Sequence, residues 1–159
     1  MNNITIKCTV FGEDVIMYYR NGTSYYSVFL GFDGNPLVNV MVRFNINGVF
    51  YDRITNSSGW ARLAINLRPG NYVITAMNLV TGEMRGNNIT VLPILITKDL
   101  IKYYHNDSQF HALVLDSVGN PLVNVMVRFN INGVFYNRTT NHEGIATLRI
   151  NLLPGHYII

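Results

Sequence analysis

Residues that could perform chemistry are few in this chain, and their spacing fits no common catalytic pattern. The single cysteine, Cys8, alternates with Ile4, Ile6 and Val10, and an alternation of period two places such side chains on the buried face of a strand. We therefore interpret Cys8 as a buried apolar thiol rather than a nucleophile. No nucleophile elbow, zinc-protease motif, phosphate-binding loop or paired-cysteine motif occurs. The sequence predicts a protein without catalytic residues, cofactor or enzymatic activity.

The side chains most often used as metal ligands are scattered. All four histidines lie in the second half of the chain: His105, His111, His142 and His156. Zinc needs three or four ligands that converge from separate segments, and ordinary surface histidines explain this set better. Asp33 and Asp116 each precede a turn that contains glycine, where a carboxylate commonly bonds to the turn backbone. We predict turn-stabilising roles for them and no metal site.

Four arginines lie near two Asn-Gly pairs. Arg43 and Arg53 flank the first pair, and Arg128 and Arg138 flank the second. In a hairpin these arginines would lie across from each other or close by, where they could form a ligand-binding strip. The alternative, which we favour, is that they are charged outer-face positions that limit aggregation of the sheet.

Six N-x-S/T sequons make N-glycosylation a second kind of candidate chemistry. They begin at Asn3, Asn21, Asn56, Asn88, Asn106 and Asn137. Their number mildly favours an exported surface protein, although turns rich in asparagine would produce some sequons by chance. Both interpretations stay open.

Composition and charge exclude some classes of binding partner. The chain has 12 basic and 9 acidic residues, a net charge of +3, and a pI near 9.1. The positive charges are scattered singly, and no Lys/Arg run exists to follow a phosphate backbone, so we predict no binding to nucleic acid. No apolar run reaches the length needed to cross a membrane, and we expect no membrane insertion of this segment. A single cysteine permits no disulfide within the chain.

The apolar residues alternate with the period of a β-strand rather than that of a helix. Val42, Phe44 and Ile46 share one face, and Asn47 and Gly48 follow at once, which is typical of a type I′ hairpin turn. Similar segments are separated by Gly, Pro, Asn and Asp. The predicted strands cover residues 15–19, 25–32, 39–46, 49–55, 60–65, 71–77 and 88–95. Seven short antiparallel strands in about 80 residues favour two sheets packed face to face, an immunoglobulin-like β-sandwich.

A tyrosine after a Pro-Gly corner supports this fold. Tyr72 follows Pro69 and Gly70, and Tyr157 follows Pro154 and Gly155. In sandwich domains a tyrosine at such a corner turns its hydroxyl back onto the preceding loop. The alternative is a tyrosine that only fills the edge of the core.

The chain repeats itself with a step of 85 residues. Pro36 recurs as Pro121, and the run GNPLVNVMVRFNINGVFY occurs at residues 34–51 and again at 119–136. The fold class we predict is therefore all-β, with two tandem immunoglobulin-like β-sandwich repeats, the second lacking its closing strand. We assign residues 1–13 to the closing strand of a preceding repeat, 14–96 to the first repeat and 97–159 to the second, incomplete repeat.

Several motifs of the unit together resemble one family. They are YYRNGTSYY, DGNPLVNVMVRFNINGVFYDRITNSSGWARLAINLRPGNYVITA and VTGEMRGNNITV, with counterparts in the second copy from KYYHNDSQF to LPGHYII. In this order they resemble the immunoglobulin-like tandem repeat of adhesin-like surface proteins of methanogenic archaea. The resemblance covers nearly all of the chain. It implies an extracellular, cell-surface protein with an adhesive or stalk-forming role and no catalytic residues.

The two ends are out of phase with the repeat. Asn3, Ile4 and Thr5 match Asn88, Ile89 and Thr90, so a strand-like segment at the start corresponds to a closing strand that the second unit lacks. We expect the candidate donor strand to fill the incomplete unit of another copy, in head-to-tail contacts that build a filament. Its inward residues would be Ile4, Ile6, Cys8 and Val10.

Our leading functional interpretation is a non-catalytic, cell-surface, adhesin-like module that acts as spacer, adhesive element or fibre subunit. The partners we expect are other copies of the chain and glycans or proteins on the surfaces of other cells. The alternative is a carbohydrate- or protein-binding accessory β-sandwich of a secreted enzyme. An exposed strip of aromatic residues on one sheet would favour the alternative, and the candidates for it are Tyr18, Tyr19, Tyr26 and Tyr51.

Overall fold

The computed structural model describes all residues, 1–159, and divides into two compact units, Met1–Leu92 and Pro93–Ile159. The first unit contains strands β1 (Val10–Gly12), β2 (Val15–Tyr18), β3 (Ser24–Phe29), β4 (Met41–Ile46), β5 (Val49–Ile54), β6 (Trp60–Ala64), β7 (Gly70–Met77) and β8 (Met84–Leu92). The second contains β9 (Leu95–Thr97), β10 (Gln109–Val114), β11 (Met126–Ile131), β12 (Val134–Thr139) and β13 (Ile145–Arg149). The structure contains no helix with the length and apolarity that a membrane crossing requires.

The first unit is a sandwich of a three-stranded and a five-stranded sheet. The smaller sheet has the order β1-β3-β6 and the larger has the order β2-β8-β7-β4-β5. Their inward side chains form one core, in which the ring of Phe44 meets the rings of Tyr25 and Phe29 edge to face at centroid distances of 5.6 and 6.0 Å. Aromatic pairs favour this geometry, and it joins the two layers.

The hairpin turns follow from the residue types at their centres. Asn47 and Gly48 have φ values of 51° and 80°, and Asn132 and Gly133 have 50° and 83°. Both central residues of a type I′ turn need positive φ, which Asn and Gly adopt at low cost. Ile46 then pairs with Val49, so the register of β4 and β5 is the one that the alternation of the sequence predicts.

The second unit repeats part of this plan. Its sheets are β13-β10-β9 and β11-β12, and Phe110 meets Phe129 edge to face at 5.9 Å in its core. The all-β, immunoglobulin-like sandwich class is thus confirmed. Because the second unit has no counterparts of β2, β7 and β8, it lacks three strands rather than one.

Both tyrosine corners form. The hydroxyl of Tyr72 donates to the carbonyl oxygen of Arg68, and that of Tyr157 donates to the carbonyl oxygen of Leu153, each at 3.0 Å. The hydroxyl reaches back four residues, as the corner prediction requires.

The strand assignment differs from the prediction at the start of each unit. Residues 10–12, assigned from the sequence to a preceding repeat, form β1 and pair with β3 of the first unit. The predicted strand 88–95 is two strands, because β8 ends before Pro93 and β9 begins at Leu95. The contact boundary accordingly falls between Leu92 and Pro93. Proline cannot donate to a sheet ladder, which fits a break at this position.

One pairing is parallel rather than antiparallel. Val15 to Tyr18 of β2 run alongside Ile89 to Leu92 of β8 in the same direction. The alternation of β2 indicated a strand, but alternation is the same in parallel and antiparallel strands.

Candidate functional site

In the first unit, β8 completes the larger sheet between β7 and β2. Its antiparallel ladder with β7 runs from Gly70 opposite Val91 to Met77 opposite Met84. Asn87, Ile89 and Val91 face inward and are buried. The strand therefore closes the core on one face and leaves no unpaired edge beside β7.

The corresponding edge of the second unit is open. β11 pairs with β12 as β4 pairs with β5, but no strand pairs with its other side. Residues 155–159, which correspond to the start of β7, form no strand, and Ile159 is 42% exposed whereas its counterpart Ile74 is fully buried. Residues 100–103, which correspond to β2, form no strand either. An unpaired edge beside exposed apolar side chains is a surface to which an extended segment can add.

The N-terminal segment is the matching piece. Residues 1–8 form no strand and are exposed, with Ile4 90% and Ile6 92% exposed. Ile4 and Ile6 correspond to Ile89 and Val91, which are buried in β8. Two aliphatic positions, buried as Ile89 and Val91 in one copy of the repeat and exposed as Ile4 and Ile6 in the other, are the strongest indication of a missing contact.

The other two candidate donor residues are placed differently from the prediction. Val10 is fully buried in the first unit as part of β1, so the donor segment ends before it. Cys8 is exposed, and the interpretation as a buried thiol is wrong. The alternation of residues 4–10 does not belong to one strand, because β1 begins only at Val10.

Asp14 holds β8 against the start of the first unit. Its carboxylate accepts from the backbone N–H of Asn88 at 2.8 Å, and from the side-chain amides of Asn87 and Asn88 at 3.3 and 3.2 Å. The bond from the Asn88 backbone, followed by those from the two amides, holds the pKa of Asp14 below its ordinary value. The ionised carboxylate is thus matched to two consecutive asparagines of β8.

Asn87 also joins the core. The buried hydroxyl of Tyr25 donates to its Oδ1 at 2.8 Å, and its amide donates to the carbonyl oxygen of Gly12 at 3.1 Å. Burial raises the pKa of Tyr25, which keeps the hydroxyl protonated as a donor. A Cβ on Gly12 would lie 2.1 Å from the Tyr25 hydroxyl oxygen. Glycine at position 12 is therefore what makes room for this hydrogen bond.

The corresponding positions of the second unit differ in two of three residues. The 85-residue step places Thr97 at Gly12, Asp99 at Asp14 and Phe110 at Tyr25. Phenylalanine has no hydroxyl, so a side chain at position 97 meets no clash of the kind found at Gly12. Asp99 is retained and exposed, and the ion pairs of the structure involve other residues.

The remaining titratable side chains do not come together as a reactive centre. No group of three or more His, Cys, Asp and Glu side chains lies at a spacing that could hold a metal ion. Asp33 and Asp116 accept hydrogen bonds from the backbone of their turns, Asp33 from Asn35 and Asp116 from Val118 and Asn120. These bonds lower the pKa of both carboxyls. The prediction of turn-stabilising carboxylates is confirmed.

The arginines do not face each other across the hairpins. Arg43 lies opposite Asp52 and forms an ion pair with it at 2.7 Å, whereas Arg53 lies opposite Val42. Arg128 likewise lies opposite Asn137, and Arg138 lies opposite Val127. The register therefore gives an outer-face ion pair in the first hairpin rather than a strip of paired arginines.

The six candidate glycosylation asparagines lie on exposed or half-buried positions. Asn21, Asn56 and Asn106 use their side-chain oxygen to accept a backbone N–H two residues later. Asn88 bonds to Asp14, and Asn3 and Asn137 are exposed. Glycan attachment at these sites stays a prediction.

The tyrosines considered for a binding strip do not form one. Tyr19 and Tyr51 pack against the core, and Tyr26 lies on the other sheet. A different group does share a face: Phe11, Val28 and Trp60 lie in one row across β1, β3 and β6, with Tyr26 beside them. Phe11, Tyr26 and Trp60 are each about half exposed. Sequence reasoning missed this aromatic face because β1 was not recognised as a strand of the first unit.

A shallow depression lies on the outer face of the larger sheet. It has a volume of about 740 Å³ and is lined mainly by amide, hydroxyl and aliphatic side chains of β2, β4, β7 and β8. Asp14 is among its lining residues and is already bonded to Asn87 and Asn88. The lining offers hydrogen-bonding groups without a free carboxylate.

Comparison with known proteins yields distant structural likenesses. No family model matches the chain, and no curated protein matches it. The fibronectin(III)-like modules of Clostridium thermocellum CbhA superpose with a TM-score of 0.39 at 13% identity, covering 93% of this chain and 81% of that one. A Ca²⁺-stabilised adhesin with which an Antarctic bacterium binds ice gives 0.32 at 14%, covering 89% of this chain and 40% of that one.

A third solved structure is SGBP-B of the Bacteroides ovatus mixed-linkage glucan utilization locus, in complex with a heptasaccharide. It gives a TM-score of 0.37 at 10% identity, covering 92% of this chain and 59% of that one. With scores at this level, the assignment of the fold rests on the strand order, register and core of the chain itself.

Proposed function

We propose that this chain is a non-catalytic, extracellular surface module that serves as a spacer, adhesive element or fibre subunit. It associates head to tail with other copies when the segment of residues 1–7 adds to the second unit. The observation that carries the proposal is the contrast between buried Ile89 and Val91 in β8 and exposed Ile4 and Ile6 in its counterpart.

The register of this addition follows from the first unit. The β7–β8 ladder pairs Gly70 with Val91 and Tyr72 with Ile89. The 85-residue step turns these pairs into Gly155 opposite Ile6 and Tyr157 opposite Ile4. The added strand would also bring residues 100–103 into a sheet, since β2 pairs only with β8 in the first unit.

Addition would remove apolar surface from water at the point of contact. Full burial of one isoleucine side chain is worth about 1.5–3 kcal/mol, and backbone pairing completes an edge that otherwise favours aggregation. Because the donor and the acceptor surfaces are different patches of one chain, the contact is heterologous and repeats without closing. In a longer chain, a counterpart of β8 after residue 159 would cover the same edge within that chain.

Sedimentation velocity over a range of concentrations tests the association. We expect concentration-dependent oligomers of the 159-residue chain, and monomers after Ile4→Asp and Ile6→Asp together. The control is Ile54→Asp, which changes an exposed isoleucine on β5 and should leave the oligomers unchanged. A wild-type chain that stays monomeric at high concentration, or a doubly substituted chain that still assembles, refutes the proposal.

A second candidate function is binding of carbohydrate, and the aromatic face of Phe11, Tyr26 and Trp60 favours it. All three side chains offer a flat apolar ring, and Tyr26 and Trp60 also carry a hydrogen-bonding group at the edge of the ring. The counterparts in the second unit are Ile96, His111 and Ile145, so the face belongs to the first unit alone. Trp60 fluorescence during titration with neutral oligosaccharides is the test. A change that persists after Phe11→Ile would contradict binding across this face.

A further inference from the structure

Asp14 shows how a carboxylate in this fold recognises the strand beside it. It accepts one backbone and two side-chain hydrogen bonds from Asn87 and Asn88, which are consecutive residues of β8. Hydrogen bonds to an ionised group are stronger than neutral ones. These bonds thereby fix the position of β8 relative to Asp14.

The aspartate and the two asparagines of this contact have counterparts in the chain, which lie in two separate segments. The step of 85 residues places Asp99 at Asp14, and Asn2 and Asn3 at Asn87 and Asn88. Asp99 comes two residues after β9, as Asp14 comes two residues after β1, and it is exposed; Asn2 and Asn3 are exposed in the N-terminal segment.

We propose that Asp99 is the specificity-determining residue of the acceptor unit and recognises Asn2 and Asn3 of a second copy. This inference rests on the strand addition proposed above. The Asp99 carboxylate accepts the backbone N–H of Asn3 and the side-chain amides of both asparagines. The carbonyl oxygen of Thr97 accepts the side-chain amide of Asn2, as the carbonyl oxygen of Gly12 accepts that of Asn87 in the first unit.

Apolar contacts alone would not set the register of the added strand. A slip by one residue turns Ile4 and Ile6 from the core to the solvent face, and a slip by two restores the alternation but moves the isoleucines along the groove. The asparagine pair occupies one position only, so bonding to Asp99 selects a single register. Because Phe110 lacks the hydroxyl with which Tyr25 bonds to Asn87, Asp99 carries more of this selection in the second unit.

The experiment uses a synthetic peptide of residues 1–7, labelled at its C-terminus, and the full chain with Ile4→Asp and Ile6→Asp. These substitutions block the chain's own donor segment and leave its acceptor free. Fluorescence anisotropy measures binding of the peptide to this chain, to its Asp99→Ala variant and to its Asp107→Ala variant. Asp107 is the matched control, since it is an exposed aspartate of the same unit whose one ion pair is with Arg149.

We expect Asp99→Ala to weaken peptide binding at least about tenfold, as the loss of hydrogen bonds to a charged group implies, and Asp107→Ala to leave it unchanged. A peptide with Asn2→Ala and Asn3→Ala should bind weakly to both chains, with most of the Asp99→Ala effect gone. Equal binding of the natural peptide to the chain with and without Asp99 overturns the role of Asp99 alone. Failure of the peptide to bind any variant overturns strand addition as well.

Discussion

Gly12→Ala should destabilise the first unit, although alanine is ordinarily better than glycine in a strand. The substitution adds a Cβ 2.1 Å from the hydroxyl oxygen of Tyr25 and 2.8 Å from Oδ1 of Asn87. Both distances are shorter than any unstrained carbon contact, so the tyrosine ring must move and its hydrogen bond to Asn87 breaks. Overpacking of a core costs about 1–3 kcal/mol, and a buried acceptor without a partner costs about 1–3 kcal/mol more. We expect a loss of about 3 kcal/mol.

The second unit supplies the compensating change. It carries threonine and phenylalanine where the first unit has Gly12 and Tyr25. Tyr25→Phe alone removes only the hydrogen bond and should cost about 1–2 kcal/mol. Gly12→Thr combined with Tyr25→Phe should cost less than Gly12→Thr alone, because the closest contact, 2.1 Å from the hydroxyl oxygen, is removed, whereas the contacts with Asn87 Oδ1 at 2.8 Å and with the ring Cζ at 2.9 Å remain. The double variant would therefore be more stable than Gly12→Thr.

Urea denaturation followed by tryptophan fluorescence measures these differences in the first unit alone. Trp60 is the only tryptophan of the chain and lies in β6. The control is Gly86→Ala in β8, where an added Cβ would meet only Val73 at an ordinary distance of 3.6 Å. This change should be neutral or stabilising by about 0.5–1 kcal/mol. A Gly12→Ala variant as stable as Gly86→Ala, or a double variant without rescue, would refute the reasoning.

Three further outcomes are expected. Asn78→Ala should destabilise the first unit by about 2–3 kcal/mol in the same urea assay, because this buried amide bonds to the Leu30 carbonyl and to the backbone N–H groups of Val80 and Thr81. Acid should weaken the first unit as the pH falls below the ordinary carboxyl pKa of 3.8, since hydrogen bonds lower the folded-state pKa of Asp14, Asp33 and Asp52 and their stabilisation is complete only above that value; stability that is constant from pH 6 to 2.5 would contradict this. Cys8 should react fully with a maleimide in the folded protein, as intact-mass measurement can establish, because it is exposed; protection without denaturant would contradict its position.

Local chemistry made much of the fold predictable. Asn47 and Gly48 specify a turn through their backbone preferences, and the alternation before them specifies which side chains face inward. Tyr72 after a Pro-Gly corner needed only the spacing between the corner and the hydroxyl. Each of these features depends on residues within a few positions of one another, so a single sequence is enough to recognise them.

Features that depend on the partner of a strand could not be predicted in the same way. Alternation assigns Val10 to a buried face, but it does not say that β1 pairs with β3 rather than with a preceding repeat. The contact of Asp14 with Asn88 joins positions that are distant in sequence, although the 85-residue step does carry it onto Asp99 and Asn3. Comparison of the two copies, position by position, was the available signal for the candidate site.

The connection between β8 and β9 is short, and the proposed filament would have a connection of the same length wherever two molecules meet. Only Pro93 and Ile94 separate those strands, and only Cys8 and Thr9 separate residue 7 from β1. A joint between two molecules would thus carry the same two-residue link as the covalent junction inside one molecule. The covalent backbone of the filament would be interrupted inside a sandwich, between its last two strands. Tension along such a filament would be borne there by hydrogen bonds loaded in shear, and the weakest point under load would be a domain interior instead of a linker.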